Sequence, residues 1–546
     1  MTPEPLTSTS AGSAESSRTI IWKQSRKWAT NLMSPQLKVK ILVFASGFVS
    51  LGVEITASRL MERAFGSTLW AWSTLIGLIL SYLSLGYLLG GKLADKFPSP
   101  ALLYRLAFLA GLFTGFIPFA APALFTLISS TGPAGSLPNF ISLIAFFLGM
   151  ALLLAVPVTL MGSISPFALR LSIRDIGEAG ESGGTIFALS TVGSILGTFV
   201  SPFILIPFLG TTRTFLALAL ILIAASFLGI APSARGRTLL YLLLATGTLP
   251  LGLKAKIYPP ARGQVLFEGE SPYNYVWVIQ SGQDIYLMLN EGFGVQSLYN
   301  PEEVLTGGIW DSFLLAPLFN PPPFSPAEVK SLCLIGLAGG TISRLYTQIY
   351  GPITIDGVEI DPLVVEAARK FMALDSPNLK VAIDDGRHYL SRSAKIYDVI
   401  AVDAYRPPYI PYHLTTREFF QEVLKHLSPR GVVAVNVAHT PSDYRLVNAI
   451  ASTMASVFPS VYVIDEPPSD HPIANSLIVG TASETRPENF PLNVAFVENP
   501  YLLEVAKRAL PEVKIFVGGS SILTDDHAPV EHLTHLTILD YLRGKR

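Results

Sequence analysis

Seven apolar runs, at 41–60, 69–91, 106–128, 140–161, 185–209, 214–231 and 238–253, constrain the first half of this chain more than any other feature. A hydrocarbon layer calls for about 20 such residues per helix. Most of the runs reach that length, and the last is short enough to lie at an interface. The runs predict a domain of about seven transmembrane helices over 41–255, with the count open by one. Half of all residues are hydrophobic and only 14% are charged, a balance too apolar for an ordinary soluble protein. The fourth run stays apolar to Leu171, past Pro157, which predicts a kinked span with an interfacial extension. Residues 1–40 read as a disordered, basic tail.

Lys and Arg concentrate in that tail and in the even-numbered connections, while the odd-numbered ones carry only Arg59, Arg63 and Arg213. The positive-inside rule makes the tail cytoplasmic. Seven spans then place everything after 255 outside the cell, whereas a miscount of one keeps it cytoplasmic; the miscount is the reading taken here. Glu54 lies near the end of the first run, where an ionisable group marks either a pathway or a bond to a neighbouring helix. The small residues in SLGYLLGGKLAD and STVGSILGTF predict closely packed helices.

From 263 the pattern changes. Residues 265–297 alternate apolar and polar around Ser281–Gly282 and Glu291–Gly292, which predicts a small antiparallel meander, and an apolar helix is expected at 303–319 to complete a 263–320 domain. Beyond it, strands expected at 331–336, 353–360, 378–383, 396–402, 430–437, 459–464 and 475–481 alternate with helices. That alternation predicts a parallel sheet covered on both faces, an α/β Rossmann-like domain over 326–546. SLCLIGLAGG runs a strand into a glycine turn, and Glu359 closes the next strand, the signature of a nucleotide-binding βαβ unit. The carboxyl ends of the strands bring Gly336, Gly339, Gly340, Glu359, Asp384, Asp385, Gly386 and Asp403 to one crevice.

A net charge of −1 gives nothing to attract nucleic acid. Cys333, the only cysteine, excludes an intrachain disulfide and a cysteine-cluster metal site. His388, His413 and His439 lack ligand spacing, so no metal is expected.

In order along the chain, VLFEGESPY, the meander with Gln296, the glycine turn, VEID, the DDG at 384–386 and VIAVDAYRP before LTTREFF resemble the spermidine synthase (aminopropyltransferase) family, with its class I methyltransferase-type fold. The apolar half looks like the membrane portion of bacterial proteins in which such a domain follows a span bundle. The resemblance implies decarboxylated S-adenosylmethionine as donor. Gly336, Gly339, Gly340, Gln296 and Asp384 would line its site, Glu359 would bind the ribose, Asp385 would accept from the adenine amino group, and Gly386 would lie beside the ring. Asp403 would be the base that takes a proton from an attacking amine. Tyr273, Asn274, Trp310, Tyr405 and Arg406 would surround that acceptor.

The sequence departs from the family at several of these positions. An acid of the glycine turn is Gly339 here, an acid three residues after the base is Arg406, and a glutamine of the meander is Asn274. Aminopropyl transfer to an amine is the first reading. Methyl transfer from S-adenosylmethionine is the alternative, and a membrane transporter or sensor with a non-catalytic nucleoside-binding domain is the third. A lipid bilayer and a small-molecule acceptor are the expected partners, and a homo-oligomer is open. TDDHAPVEHL at 524–533 either restores acids to the pocket or forms a capped turn.

Overall fold

The computed structural model describes residues 33–65, 69–129, 140–173, 175, 177, 179–230, 263–290, 294–406, 409–467, 473–519 and 521–542. Most of the basic tail, the seventh apolar run and the Glu291–Gly292 turn lie outside the described residues. The chain divides into two compact units, one of Met1–Ala57, Thr74–Ala123 and Leu148–Ala255, the other of Ser58–Ser73, Leu124–Phe147 and Lys256–Arg546.

The apolar half is helical: α1 (Pro35–Phe65), α2 (Leu69–Lys96), α3 (Pro100–Ser129), α4 (Phe140–Ser172), α5 (Ala179–Val200) and α6 (Ile206–Phe227). Among the described residues five helices are long and apolar enough to cross a membrane. The fifth, Ala179–Phe227, contains two of the expected runs. A π-turn at Ser201–Leu205 and a bend at Gly210, with φ 74° and ψ 166°, join them without a polar loop. Likewise α4 continues as one helix through Pro157 and Pro166 to Ser172.

The small residues do bring helices together. A Cβ on Gly193 or Gly197 of α5 would strike the backbone of Phe44 or Phe48 in α1, and one on Gly90 of α2 would lie 2.5 Å from Ser163 Cα in α4. Glu54 is half-buried within α1.

The second unit holds two sheets. Strands β1 (Gln264–Glu270), β2 (Tyr275–Ser281), β3 (Asp284–Leu289) and β4 (Val295–Tyr299) form the antiparallel meander, turning at Gly282 as expected. The predicted 303–319 helix is reduced to a single turn, α7 (Ile309–Ser312), followed by a 3-10 segment, Phe313–Phe319. Gly307 sits in the left-handed region (φ 74°) and stops the helix on one side, Pro317 on the other. All seven residues of the 3-10 segment are buried, so its apolar character records a core position, not a helix face.

The larger sheet contains β5 (Ser331–Ile335), β6 (Thr354–Glu359), β7 (Leu379–Ile383), β8 (Tyr397–Val402), β9 (Leu427–His439), β10 (Ser460–Asp465), β11 (Ala474–Thr481) and β12 (Val513–Ile515), in the order β12-β10-β11-β9-β8-β5-β6-β7. Strands β7, β6, β5, β8 and β9 are parallel. The expectation of an all-parallel sheet fails beyond β9, where β11, β10 and β12 pair antiparallel. Alternating polarity does not encode strand direction, and the short β12 carries too few residues for any period.

Helices α8 (Thr341–Tyr350), α9 (Pro362–Phe371), α10 (Gly386–Arg392), α11 (Arg417–Lys425) and α12 (Arg445–Ala455) follow, with α13 (Asn489–Val494), α14 (Pro500–Ala509) and α15 (Val530–Leu542) after them. In α8, Ile342, Leu345, Tyr346 and Ile349 recur at helical spacing and are buried, and Gly351 ends the helix. The Tyr346 hydroxyl donates to the Phe313 carbonyl at 2.7 Å, tying the 3-10 segment to α8. Strand order reverses between β5 and β8, so the carboxyl ends of β5, β6, β7 and β8 open on the switch point where ligands bind in such sheets.

Candidate active site

The loop after β5 is built for close approach. Gly336 has φ +88°, and a Cβ there would lie 2.5 Å from the Asp403 carbonyl oxygen, so only glycine lets β5 and β8 exit side by side. Every N–H from Gly336 to Gly340 is engaged. Gly336 and Leu337 donate to the Val358 carbonyl, Ala338 to Glu359 Oε2, Gly339 to Ser297 Oγ and Gly340 to the Leu337 carbonyl. The turn therefore offers shape and backbone proximity to a ligand. At Gly339 a Cβ would sit 2.6 Å from both Met372 Sδ and Ser297 Cβ, so the acid that the resemblance places here has no room.

Glu359 ends β6 and is 9% exposed. Its Oε2 accepts the Ala338 N–H at 2.9 Å and its Oε1 the Asp361 N–H at 3.1 Å. Burial raises its pKa to about 7 against those donors. Two residues on, Asp361 caps α9 through Leu363 N–H and accepts from Ser271 Oγ at 2.6 Å and Asn274 Nδ2 at 2.9 Å. Asn274, expected at the acceptor, instead ties the meander to Asp361, and its Oδ1 is taken by Asn290. Tyr273 beside it is exposed, with its N–H on Ser271 Oγ. Gln296 on β4 is half-buried and donates to the Gly294 carbonyl at 3.3 Å.

Asp403 leaves β8 with both carboxylate oxygens engaged. Trp310 Nε1 donates to Oδ2 at 3.1 Å, and Asn436 Nδ2 donates to Oδ1 at 2.9 Å. Desolvation outweighs both donors and raises its pKa to about 7. A carboxyl that titrates near neutrality, with a rigid indole and amide fixing its plane, suits proton transfer. Trp310, expected at the acceptor, thus orients the Asp403 carboxyl. The Tyr405 hydroxyl bridges to β9, donating to the Asn436 carbonyl and accepting the Ala438 N–H. Arg406 is exposed and closes a tight turn with Tyr409.

Asp385 caps α10, accepting from the N–H groups of Arg387 and His388, each at 3.0 Å. Its second oxygen bonds His413 Nε2 at 2.8 Å, and this bond, before the backbone donors, lowers its pKa to about 2. Oδ2 keeps a lone-pair direction for one more donor. Gly386 lies against Ile335 of β5, where a Cβ would collide. Asp384 bonds His388 Nδ1 at 2.8 Å, and its N–H reaches the Glu359 carbonyl, which draws the β6 and β7 ends together.

The carboxy-terminal cluster supplies no acid to Asp403. Asp525 pairs bidentately with Arg387, both bonds 2.7 Å, and accepts from Thr416 Oγ1; Arg387 also donates to the His413 carbonyl. Thr524 and His527 close a turn, as the capped-turn reading requires. Tyr409 and Ile410 of the proline-aromatic loop are buried, and Tyr409 bonds His535 of α15, so this described part of the loop is packed.

Sequence reasoning missed Asn436, Asp361 and the pairing role of His413. An amide inside the apolar run VVAVNV of a central strand was a signal for the first. Ile360 was missed as well; it follows Glu359 and stays 39% exposed, an apolar wall beside the acid.

Residues 292–470 match the spermine/spermidine synthase domain. A probable polyamine aminopropyl transferase of Bifidobacterium longum (strain NCC 2705) is 34% identical over 283 residues, 49% of this chain and 61% of that protein. The polyamine aminopropyltransferase of Vibrio vulnificus (strain CMCP6) is 37% identical over 149 residues, 27% of this chain and 47% of that one. The chain thus spans about half to three fifths of the length of these curated relatives. A probable spermidine synthase of Corynebacterium glutamicum ATCC 13032, known from its crystal structure, is similar with a TM-score of 0.37 and 19% identity, covering 47% of this chain and 98% of that one. By sequence, the second half of this chain is similar to the polyamine aminopropyltransferases and matches the spermine/spermidine synthase domain over 292–470.

Proposed function

We propose that the chain is a membrane-attached transferase moving an aminopropyl group from decarboxylated S-adenosylmethionine to an amine. One observation carries the reading: Asp403, held by Trp310 and Asn436 beside the glycine turn after β5, is a carboxyl poised near neutrality. The residues fit such a donor. Glu359 offers remaining acceptor lone pairs to ribose hydroxyls, the exposed Ile360 offers an apolar face to a flat ring, and Asp385 Oδ2 has capacity for an amino group. The donor supplies a carbon activated by a sulfonium.

The acceptor nitrogen forms the new C–N bond as C–S breaks, and the bonding pair stays on sulfur. Asp403 takes the proton that the nitrogen loses, which needs no metal. The crevice is poor in the carboxylates that hold a diammonium, since Gly339 and Arg406 replace two of them. A monoamine or neutral acceptor is therefore favoured over a diamine. Among the described residues five helices of spanning length support attachment to a bilayer; with the two apolar runs of the fifth counted as separate crossings, six spans from a cytoplasmic tail return the domain to the cytoplasmic side.

Methyl transfer from S-adenosylmethionine is the second reading, favoured by Gly339, whose surroundings exclude an acid. Calorimetric titration of the purified chain with each donor separates the two. Tighter binding of the decarboxylated donor supports aminopropyl transfer, and a clear preference for the carboxylated one overturns it. Protease accessibility in intact cells tests the side assigned to the domain.

A further inference from the structure

Asp311, in the turn that carries Trp310, is 0% exposed, a costly place for a carboxylate unless its lone pairs are met. Its Oδ1 accepts the Thr306 N–H at 2.9 Å and the Thr306 hydroxyl at 2.8 Å. Its Oδ2 accepts the Gly307 N–H at 2.8 Å and Arg508 Nη2 at 3.2 Å. These donors fill the acceptor directions of a carboxylate. Asp311 thus has no capacity left for a ligand, and its role lies in what it holds.

It holds a turn that cannot hold itself. The helix α7 is only Ile309–Ser312, its cap at Gly308 makes no side-chain bond, and Gly307 before it sits at φ 74°. One helical turn is unstable alone, because nucleation fixes several residues for one hydrogen bond. After the turn, the Tyr346 and Tyr350 hydroxyls donate to the Phe313 and Leu314 carbonyls and fix the 3-10 segment to α8. Before it, the Asp311 carboxylate ties down residues 306 and 307, and Arg508 anchors that carboxylate to α14, 197 residues along the chain. From this turn the Trp310 indole reaches Asp403 Oδ2 at 3.1 Å, so a displacement of about half an ångström ends the bond.

We propose that Asp311, anchored by Arg508, is the positioning residue that keeps the Trp310 indole on the Asp403 carboxyl. Arg508 lies beyond residues 292–470, so a part of the chain outside the matched domain helps to set the crevice. The consequence for turnover rests on the proposed transfer, whereas the link from Asp311 to Trp310 does not. A role confined to stability would lower Tm and leave the indole on Asp403 in every chain that folds.

The test is fluorine NMR of the full-length chain in detergent, labelled with fluorotryptophan. The chain has six tryptophans, and Trp310→Phe identifies the line of interest by removing it. In the parent that line should move with pH about a midpoint of about 7, and Asp403→Asn should abolish the movement. Asp311→Asn turns an amide N–H₂ toward the donors at one oxygen, so the line should leave its parent position and lose at least about half of its pH-dependent movement. In the transfer assay Asp311→Asn should lower kcat/KM at pH 7 about fivefold, with recovery toward pH 9, and should add less than about twofold when Trp310 is already Phe. A parent-like titration of the Trp310 line in folded Asp311→Asn overturns the proposal. Should that variant not fold, Arg508→Gln carries the test: a weakened titration is expected, and an unchanged line is the overturning result. A chain that releases no thioether from either donor overturns the transfer reaction, while the fluorine measurement still decides on Asp311.

Discussion

Replacing Trp310 by Phe removes one donor from the Asp403 carboxylate while keeping an aromatic ring in place. Burial pushes Asp403 up, the Asn436 and Trp310 donors pull it back, and the balance is a pKa of about 7. A hydrogen bond to a charged group contributes about 1.5–3 kcal/mol. The indole bond is 3.1 Å, so the lower end applies. At about 1.4 kcal/mol per unit, the loss raises the pKa by roughly one unit. The ionised fraction at pH 7 then falls from about a half to about a tenth, so kcat/KM at pH 7 drops about fivefold and recovers to within about twofold by pH 9.

The assay is release of the thioether product by the purified full chain between pH 6 and 9.5, compared with the parent protein. Titration of the acceptor amine is common to both, so the ratio of the two profiles isolates Asp403. Lost packing lowers that ratio equally at every pH, whereas lost stabilisation of the carboxylate makes it rise with pH. A ratio independent of pH refutes the assignment of Trp310 as the group that tunes the base.

Asp403→Asn should reduce turnover by about 10² to 10⁴. It should also raise Tm at pH 8: the carboxyl shifts from 3.8 unfolded to about 7 folded, so the parent loses stability on the order of 4 kcal/mol as pH rises through that window, and differential scanning fluorimetry should show the gap closing by about pH 4. Gly336→Ala places a Cβ against the Asp403 carbonyl at φ +88° and should destabilise the unit by more than about 1 kcal/mol, read as a lower urea midpoint; an unchanged midpoint contradicts the close β5–β8 exit. Asp525→Asn removes the charge that holds Arg387 and, through it, the His413 carbonyl, and should weaken donor affinity by about three- to tenfold with turnover at saturation little changed. An equal loss in turnover would mean that Asp525 acts on the reacting atoms.

What the sequence disclosed and what it withheld follow one physical division. Features set by local geometry were legible: the glycine turn, the acid at the end of β6, the DDG after β7 and the acid after β8 all stand at strand ends, where a period of two gives way to a turn. The small residues of α2 and α5 were legible too, because close backbone approach demands them wherever the partner helix comes from. What the sequence withheld depends on partners distant along the chain. Asn274 reaches Asp361 across 87 residues, Asn436 reaches Asp403 across 33, and Arg387 finds Asp525 across 138.

No local pattern separates an Asn that meets a substrate from one that braces an acid. The acids stand at the strand ends where the sequence reading put them, and Asn274 and Trp310, read as acceptor contacts, bond to acids in the structure. The same division explains the 3-10 segment, whose residues are buried on every side by α8, α13 and the large sheet and so show no face to read. In this crevice the strand ends bring the acids, and the balance of burial against long-range donors sets where each of them titrates. Asp385, held by His413 and two backbone donors, stays ionised, while Asp403, with one amide and one indole against deeper burial, rests near neutrality. Two carboxyls with pKa values driven apart would, under the proposed transfer, divide the labour, one holding the donor and one taking the proton.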